Sequence, residues 1–538
     1  MEHILSVISE TMQLVKSAYY TYCGVSVNLT LVYLAFFYLF FSLGKNTDKG
    51  KQDKFLLWLG VVLVAVIVFP ASAWVIMKYC VESGVYRRMF WMIPVPLLVG
   101  YVGARIVAGE STKWRKFFTG ALLTGIIVVT GVRLYTPQNF TKASNPYKLM
   151  PGVISVCDVI QADAAAQGIE DVGVFATNDL IIQIRQYDAS IRMPYGRDML
   201  NGEAGVTRLA KRVYQALNGE QLNAQALAFD AKKGNYQYLV TWSDEALVSP
   251  LSDAGYELIG DVGGYFVYRL DTEKVSDLLI TQYGNNGGNQ TDFYTIETIK
   301  GKLVVIDGGS ETDEDYVREA LSMKGNRVNA WILTNYRQDH VGAFCKIYEN
   351  PGNIRISKIY AVSMAPLELY AKNAPLDETD AFGRFQELGI DKINYLHAGD
   401  KRKVAGVQMK VLSAYDDYVD EISDDIHNDG SMMFKVYGEK ESMLFCADVG
   451  NSMSEWIIEH YGEELASDYL QMGNHGNGGL SEEFYRLVHP KAAFFDAPAW
   501  LFDSAEEQYT LQKNREIMED MGAVIYSFEG APHSVQLH

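Results

Sequence analysis

Long apolar runs alternate with short polar segments over the first 135 residues of the chain. Four of these runs are each about 20 residues long, and they cover Val25–Leu43, Phe55–Met77, Met89–Val107 and Phe117–Leu134. A helix rises about 1.5 Å per residue, so a run of this length spans a hydrocarbon core of about 30 Å. Because a buried helix of a soluble protein seldom stays apolar for so long, the pattern predicts an α-helical membrane bundle of four transmembrane helices over residues 1–135.

Basic residues are unevenly divided among the loops between these predicted helices. The first and third loops together carry eight Lys or Arg residues, whereas the second loop and the N-terminal arm carry four. Loops rich in Lys and Arg stay on the cytoplasmic side of a membrane. The sequence therefore predicts a multi-pass protein of the cell membrane with residues 136–538 outside the cytoplasm.

Helical and strand periodicities alternate in the middle of the chain. A linker containing Pro, Asn and Ser begins at Thr136, and a helical pattern over Val153–Gln167 is followed by strand patterns at Asp171–Ala176 and Tyr236–Trp242. This alternation predicts a small α/β domain over residues 136–275. Its Arg and Asp residues stand close together in the sequence, which is typical of surface ion pairs, and no motif in this domain indicates a catalytic or binding site.

Strand pairs and amphipathic helices fill the remaining residues, 276–538, and predict two mixed sheets with helices outside. This segment carries 22 Lys and Arg residues against 43 Asp and Glu residues, a net charge of −21, within a chain whose total is −19. Such an acidic surface repels a phosphate backbone, so non-specific nucleic-acid binding is not expected. The five cysteines are scattered without CxxC spacing, which argues against a thiolate metal site.

A candidate metal site lies after the strand pattern Asn329–Leu333. A polar loop leads from this strand to Asp339 and His340, where an amphipathic helix begins. A rigid strand end that delivers Asp and His into a loop is a common way to build a metal site. The alternative is that Asp339 is only a helix N-cap and His340 a surface residue of the first turn.

Several motifs in residues 277–538 occur in an order that resembles one known family. They are Val304-Val-Ile-Asp-Gly-Gly309, Leu333-Thr-Asn-Tyr-Arg-Gln-Asp-His-Val-Gly-Ala343, Asn428-Asp-Gly-Ser-Met-Met433, Leu444-Phe-Cys-Ala-Asp448 and Gln471-Met-Gly-Asn-His-Gly476. The segment resembles the metallo-β-lactamase fold hydrolases, and it is most similar to the branch fused to bacterial DNA-uptake competence proteins. The resemblance implies an αββα domain and metal-dependent hydrolysis of esters or phosphodiesters.

The family's metal-binding loop, His-x-His-x-Asp-His, is altered in this sequence. Asn335 and Arg337 stand at the two first histidine positions, and Asn474 replaces the first residue of a later His-His-Gly motif. An amide oxygen is a weak ligand and a guanidinium does not ligate metals. By the resemblance, the remaining metal ligands are Asp339, His340, Asp448 and His475, with Asp339 also assigned the catalytic role.

Three outcomes follow from this altered motif. The first is a membrane-anchored pseudoenzyme that keeps the fold and binds a partner or small molecule, with impaired or lost activity and no metal. The second is a one-metal hydrolase of a small-molecule or ester substrate, holding one zinc or manganese ion, in which Arg337 binds a phosphate or carboxylate group of the substrate. The third is a two-metal site in which His427 or Asp429 replaces the lost ligands.

Overall fold

The chain forms two compact units in this computed structural model, residues 1–142 and 143–538. The structure describes residues 2–23, 28–43, 48–131, 141–200, 206–219, 221–284, 288–363, 365–366, 369, 378–423, 425–504, 506, 509–528 and 531–538. The predicted boundary between residues 136–275 and 276–538 falls inside the second unit and stays a prediction.

The described residues of the first unit form helices and the short connections between them. Its α-helices are Glu2–Cys23, Asn28–Phe41, Asp48–Val68, Pro70–Tyr79, Val95–Gly109 and Lys113–Thr130, and a 3-10 helix covers Ser83–Met92. By length and composition, one described helical run, Ser83–Gly109, suffices to cross a membrane. The helices before and after Phe69 meet that criterion only as a pair, and they are bent by 69° at their junction.

Four full-length transmembrane helices, as predicted from the sequence, are therefore not found among the described residues. The helix Asn28–Phe41 has 14 residues, too few to span a bilayer core. Proline at position 70 cannot donate a backbone hydrogen bond, so the second apolar run divides there into two helices. Three of the first four residues of the helix Lys113–Thr130 are basic, so its apolar part begins only after Lys116. Residues 25–27 and 132–134 of the predicted spans lie outside the described residues.

Residues 143–275 form a four-stranded sheet with helices packed on it. In sheet order its strands are Val174–Ala176, Tyr238–Trp242, Tyr265–Leu270 and Tyr256–Val262, of which the first pair is parallel and the others antiparallel. The helices are Pro151–Gln167, Asn178–Tyr187, Arg197–Leu200, Arg208–Asn218, Ala224–Gly234 and Val248–Asp253. Apolar side chains from both element types make a core of their own, with Val153, Phe175 and Leu239 fully buried.

Residues 276–538 form two seven-stranded mixed sheets with helices along them. The first sheet has the order Ile393–Leu396, Ile359–Val362, Ala330–Leu333, Leu303–Asp307, Phe293–Thr298, Leu278–Gln282 and His533–Gln536. The second has the order Lys401–Val404, Val407–Ser413, Met433–Tyr437, Ser442–Phe445, Tyr469–Gln471, Ala492–Phe495 and Val524–Ser527. A two-stranded ladder joins Arg327–Val328 to Arg355–Ile356.

The helices of this part are short and amphipathic. They are Glu314–Lys324, Gln338–Glu349, Glu378–Glu387, Asp417–Ile422, Ile426–Asp429, Ser454–Tyr461, Glu482–Val488, Ala499–Phe502 and Leu511–Asp520. Side chains of the two sheets and these helices form one continuous apolar core, in which Trp331 and Phe344 are fully buried. This arrangement has the two mixed sheets and outer helices that the sequence predicts.

The strand directions bring several polar loops to one place. The parallel strands Leu303–Asp307 and Ala330–Leu333 end beside each other in the first sheet, as do Ser442–Phe445 and Tyr469–Gln471 in the second. Residues that follow the carboxyl ends of parallel neighbours share an edge. The segments after three of these strands contain His340, Asp448 and His475, all of which are buried.

Candidate metal centre

Four buried side chains from four separate segments converge between the two sheets. Asp292 precedes the strand Phe293–Thr298, His340 lies in the first turn of the helix Gln338–Glu349, Asp448 follows the strand Ser442–Phe445, and His475 lies in the turn Gly473–Gly476. One ligand atom from each lies within 4.8 Å of a ligand atom of every other. Tetrahedral zinc with bonds of about 2.0–2.2 Å needs ligand atoms about 3.3–3.6 Å apart. The distances from His340 Nε2 and His475 Nδ1 to Asp292 Oδ2, 3.1 and 3.4 Å, are close to that spacing.

Each carboxylate of the cluster has one oxygen fixed by the protein and one without a hydrogen-bond partner. Gln471 Nε2 donates to Asp292 Oδ1 at 3.1 Å, and Asn335 Nδ2 donates to Asp448 Oδ2 at 3.2 Å. The other oxygens, Asp292 Oδ2 and Asp448 Oδ1, are buried and accept no hydrogen bond. A buried polar atom without a hydrogen bond costs about 1–3 kcal/mol, so two such carboxylate oxygens in one cluster fit a bound cation.

Each of the two histidines likewise has one ring nitrogen held by the protein and one without a hydrogen-bond partner. His340 Nδ1 lies 3.0 Å from Asp307 Oδ2, and His475 Nε2 lies 3.1 Å from Asp339 Oδ2. The remaining nitrogens, His340 Nε2 and His475 Nδ1, are buried without a hydrogen-bond partner. When a carboxylate accepts a hydrogen bond from the N–H of one ring nitrogen, the lone pair of the other ring nitrogen is free to bind a metal. Metal-binding histidines are usually held this way.

The electrostatics of the cluster favour positive charge at its centre. Burial disfavours imidazolium, yet the carboxylates of Asp448, Asp292 and Asp307 outweigh burial and raise the pKa of His340 well above its usual value. The pKa of His475 rises to about 10 for the same reason, with Asp292 the strongest neighbour. Burial raises the pKa of Asp292 well above its usual value. The site is therefore stabilised by a cation, which is either a proton on each ring or a metal ion that displaces those protons.

Strained backbone surrounds the cluster. Four residues other than glycine next to or within it have positive φ angles: Asp307 (51°), Ala447 (47°), Asn474 (47°) and His475 (56°). Such conformations cost of order 1–3 kcal/mol each and persist where the surrounding structure enforces them. In the turn Gly473–Gly476, two consecutive left-handed residues direct the His475 ring into the cluster.

Asp339 stays a predicted ligand and lies outside the group of four. Its Oδ2 atom is 3.1 Å from His475 Nε2, and Asp292 is the group member that the sequence does not predict. Neighbouring residues of a helix project about 100° apart, so His340 points into the core while Asp339 points toward its surface. Burial opposes ionisation of Asp339, but His475 outweighs burial and lowers the pKa of the Asp339 carboxyl.

Asn335 and Arg337, which stand at the replaced histidine positions of the metal loop, make hydrogen bonds at the edge of the cluster. Besides Asp448, the Asn335 amide donates to the His427 carbonyl oxygen at 2.9 Å and to Ser431 Oγ at 2.8 Å. Arg337 Nη1 donates to Asn428 Oδ1 at 2.9 Å, and its Nε lies 3.8 Å from Asp448 Oδ2. The guanidinium is 27% exposed, so a fixed positive charge lies between the buried carboxylate and solvent.

The alternative ligands named from the sequence are not among the converging residues. The Asp429 carboxylate accepts hydrogen bonds from Ser423 Oγ and from the Gly450 backbone N–H, and it closes a loop. The described part of the chain contains one group of metal-ligating side chains, and neither His427 nor Asp429 belongs to it. Asn474 contributes its strained backbone to the turn rather than a ligand atom.

Sequence reasoning missed Asp292 and the supporting Asp307. None of the sequence motifs contains Asp292, and Asp307 stands only within the motif Val304-Val-Ile-Asp-Gly-Gly309. The available signal was their position, since each is an acidic residue at the end of an apolar strand. In the sheet, Phe293, the residue after Asp292, pairs with Asp307 on the neighbouring antiparallel strand.

Comparison with solved structures finds similarities that each cover part of this chain. Metallo-β-lactamase fold proteins are similar to the chain, among them YhfI from Bacillus subtilis, with 12% identity over 48% of this chain and 99% of YhfI and a TM-score of 0.31. Zn²⁺-bound PqqB from Methylobacterium extorquens is 11% identical over 48% of this chain and 100% of PqqB, with a TM-score of 0.32. CmlA, a diiron β-hydroxylase from Streptomyces venezuelae, is 13% identical over 50% of this chain and 58% of CmlA, with a TM-score of 0.33. No protein-family model and no curated protein matches the chain.

Proposed function

We propose that residues 276–538 bind one divalent transition-metal ion through Asp292, His340, Asp448 and His475, and that they hydrolyse an anionic ester or phosphoester. The observation that carries this proposal is the set of four buried atoms that make no hydrogen bond, one on each of these side chains. Each of the four side chains has its other polar atom held by the protein. Two imidazoles and two carboxylates suit zinc, manganese or iron, with zinc the usual choice for four ligands.

The chain's own residues supply the rest of the chemistry in this proposal. A bound ion would polarise the substrate and lower the pKa of a water molecule. The Asp339 carboxylate, 19% exposed and kept ionised by His475, accepts the proton of the attacking water. Arg337 binds the anionic group of the substrate with its planar fork, at the position of a histidine in the resembled hydrolases.

A second candidate is a non-catalytic binding module that holds a structural metal, unlike the metal-free pseudoenzyme expected from the altered loop. It is favoured by the depth of the cluster, since all four side chains are nearly inaccessible to solvent. Four protein ligands in a closed buried site are typical of a structural metal, whereas a catalytic site keeps one position open. Under this alternative the metal stabilises the fold, and no hydrolysis accompanies binding.

Elemental analysis of the purified chain tests the metal centre. We expect about one zinc, manganese or iron ion per chain, lost in Asp292→Ala and His475→Ala. Asp339→Ala should keep the ion with an affinity lowered about 10–100-fold, because Asp339 orients a ligand without being one. The matched control is His460→Ala, an exposed histidine outside the cluster. A chain that takes up none of these three metals would refute the proposal.

Hydrolysis of chromogenic phosphodiesters and carboxylic esters separates the two candidates. Activity that requires the metal and falls in Arg337→Ala more through KM than through kcat supports the hydrolase. Full metal occupancy without turnover of either substrate class supports the binding module.

We also propose that the N-terminal helices anchor the chain in a cell membrane in several passes, with residues 136–538 outside the cytoplasm. Support comes from the run Ser83–Gly109 and from the basic residues of the predicted loops. Protease added to intact cells should remove residues 143–538. Protection of this segment in intact cells, with cleavage after lysis, would show that it lies inside the cytoplasm and would refute the proposed orientation.

A further inference from the structure

Large apolar side chains are exposed on one face of the segment that follows the N-terminal helices. Tyr147, Met150, Ile182 and Trp242 are 55%, 39%, 43% and 54% exposed. We call these four residues the exposed aromatic patch. Soluble surfaces seldom place several large apolar groups side by side unless the surface meets a partner or a membrane.

Contacts within the structure join these four residues into one surface. Trp242 stacks on the Tyr265 ring with centroids 4.6 Å apart, and the Tyr265 hydroxyl donates to Asp179 Oδ2 at 2.5 Å. Asp179 begins the helix Asn178–Tyr187, in which Ile182 shares its face because residues three apart are neighbours on a helix.

The other two residues of the patch adjoin the same helix. The Met150 backbone N–H donates to Gln183 Oε1 at 3.2 Å, and Gln183 lies one turn after Asp179 on the same face of the helix. Tyr147 packs edge-on against Tyr187 at 4.9 Å, at the last turn of that helix. The patch therefore extends along the helix Asn178–Tyr187 and on to Trp242.

We propose that the exposed aromatic patch docks on the interfacial region of a lipid bilayer, an inference that rests on the proposed membrane anchorage. Trp and Tyr partition to the boundary between headgroups and hydrocarbon, because each ring has an apolar body and a polar edge. Tyr147 follows the apolar helix Lys113–Thr130 by 17 residues, so the chain reaches the patch soon after that helix ends.

Apolar insertion rather than headgroup charge drives this docking. Two exposed cations near the patch, Lys148 and Arg185, are outnumbered by three exposed acidic residues, Asp244, Glu245 and Asp261. With no excess of positive charge, the docking does not depend on anionic lipid. It should be equal on phosphatidylcholine and on mixtures with phosphatidylglycerol, and insensitive to salt.

Quenching of tryptophan emission by brominated lipid tests the docking on the full chain. The protein is placed in nanodiscs of phosphatidylcholine with or without bromine on the acyl chains. The Trp242 emission is the difference between the unaltered chain and Trp242→Phe. Trp500→Phe is the matched control, since Trp500 is 56% exposed and lies outside the patch. We expect brominated lipid to quench at least half of the Trp242 emission and little of the Trp500 emission.

A second variant checks the contact without removing the reporter. Ile182→Asp adds a charge to the centre of the exposed aromatic patch, at a side chain already in water. It should lower the quenching of Trp242 while leaving the circular dichroism spectrum unchanged. Equal quenching of Trp242 and Trp500 overturns the docking, and so does shielding of Trp242 by a second copy of the chain, seen as a dimer in mass photometry.

The same measurement separates failure of the docking from failure of the anchorage. Four of the eight tryptophans lie within residues 1–142. If these are quenched while Trp242 is not, the chain is anchored and the docking is wrong. If none is quenched, the membrane anchorage itself is wrong.

Discussion

A buried network of charges joins the helices of residues 143–275 to the sheets of residues 276–538, and its central member is Glu297. Arg212 Nη1 donates to Glu297 Oε2 at 2.7 Å, and Lys324 Nζ donates to Glu297 Oε1. Arg212 Nε also donates to Asp230 Oδ2 at 2.8 Å. The Glu297 and Lys324 side chains are only 5% and 6% exposed, so neither charge is solvated by bulk water.

Replacing this carboxylate, in Glu297→Gln, should destabilise residues 143–538 strongly. It leaves the Lys324 ammonium and the Arg212 guanidinium buried with one carboxylate between them instead of two. Removal of one partner from a buried ion pair costs about 3–5 kcal/mol, and the retained amide oxygen places the expected loss near about 3 kcal/mol. The matched control is Glu257→Gln, which breaks the exposed pair with Arg269 at 2.6 Å and should cost less than about 1 kcal/mol.

The same carboxylate gives a pH dependence of known sign. Burial alone would raise the pKa of Glu297, but Lys324 and Arg212 outweigh burial and lower it below its usual 4.5. A group with a lowered folded pKa stabilises the fold above its unfolded pKa, and this stabilisation is lost as the pH falls toward the folded value. Stability should therefore fall with acidification below about pH 4.5, and Glu297→Gln should flatten that part of the profile.

Urea unfolding of the detergent-solubilised chain, followed by near-ultraviolet circular dichroism between pH 3 and 7, measures both effects. A loss for Glu297→Gln no larger than that for Glu257→Gln would refute the reasoning. An unchanged acid limb in Glu297→Gln would refute the assignment of the pH dependence to this residue.

Two further predictions concern the metal centre. Asp307→Asn should weaken metal binding about 10–100-fold, because an amide holds His340 Nδ1 less firmly than a carboxylate does. A titration with a competing chelator measures this, and an unchanged affinity would show that Asp307 does not support metal binding. Gly476→Ala should unfold the His475 turn and abolish metal binding, since an added Cβ would lie 2.2 Å from Phe495. Gly522→Ala also has positive φ but open space around it, so it should keep the metal, and equal losses in both variants would show that backbone strain alone matters.

The class of architecture was largely predictable from local patterns. Alternating apolar strands and amphipathic helices in residues 276–538 indicate two mixed sheets, because period and length decide how a segment buries its apolar face. Three residues of the cluster, His340, Asp448 and His475, lie in motifs visible in the sequence. The number of membrane-length helices was not predictable from apolar runs, since Pro70 divides the second run and the described helix within the first run, Asn28–Phe41, has only 14 residues.

By itself, the sequence determined which chemical groups are present and which strand or helix carries each of them. Only the tertiary structure decided which of those groups face each other. Asp339 and His340 are neighbours in the chain, yet one helical step turns them about 100° apart, so a single ring enters the core. Asp292 lies 156 residues before Asp448, and nothing local links them; they meet because two sheets pack face to face and bring their loops together at one edge.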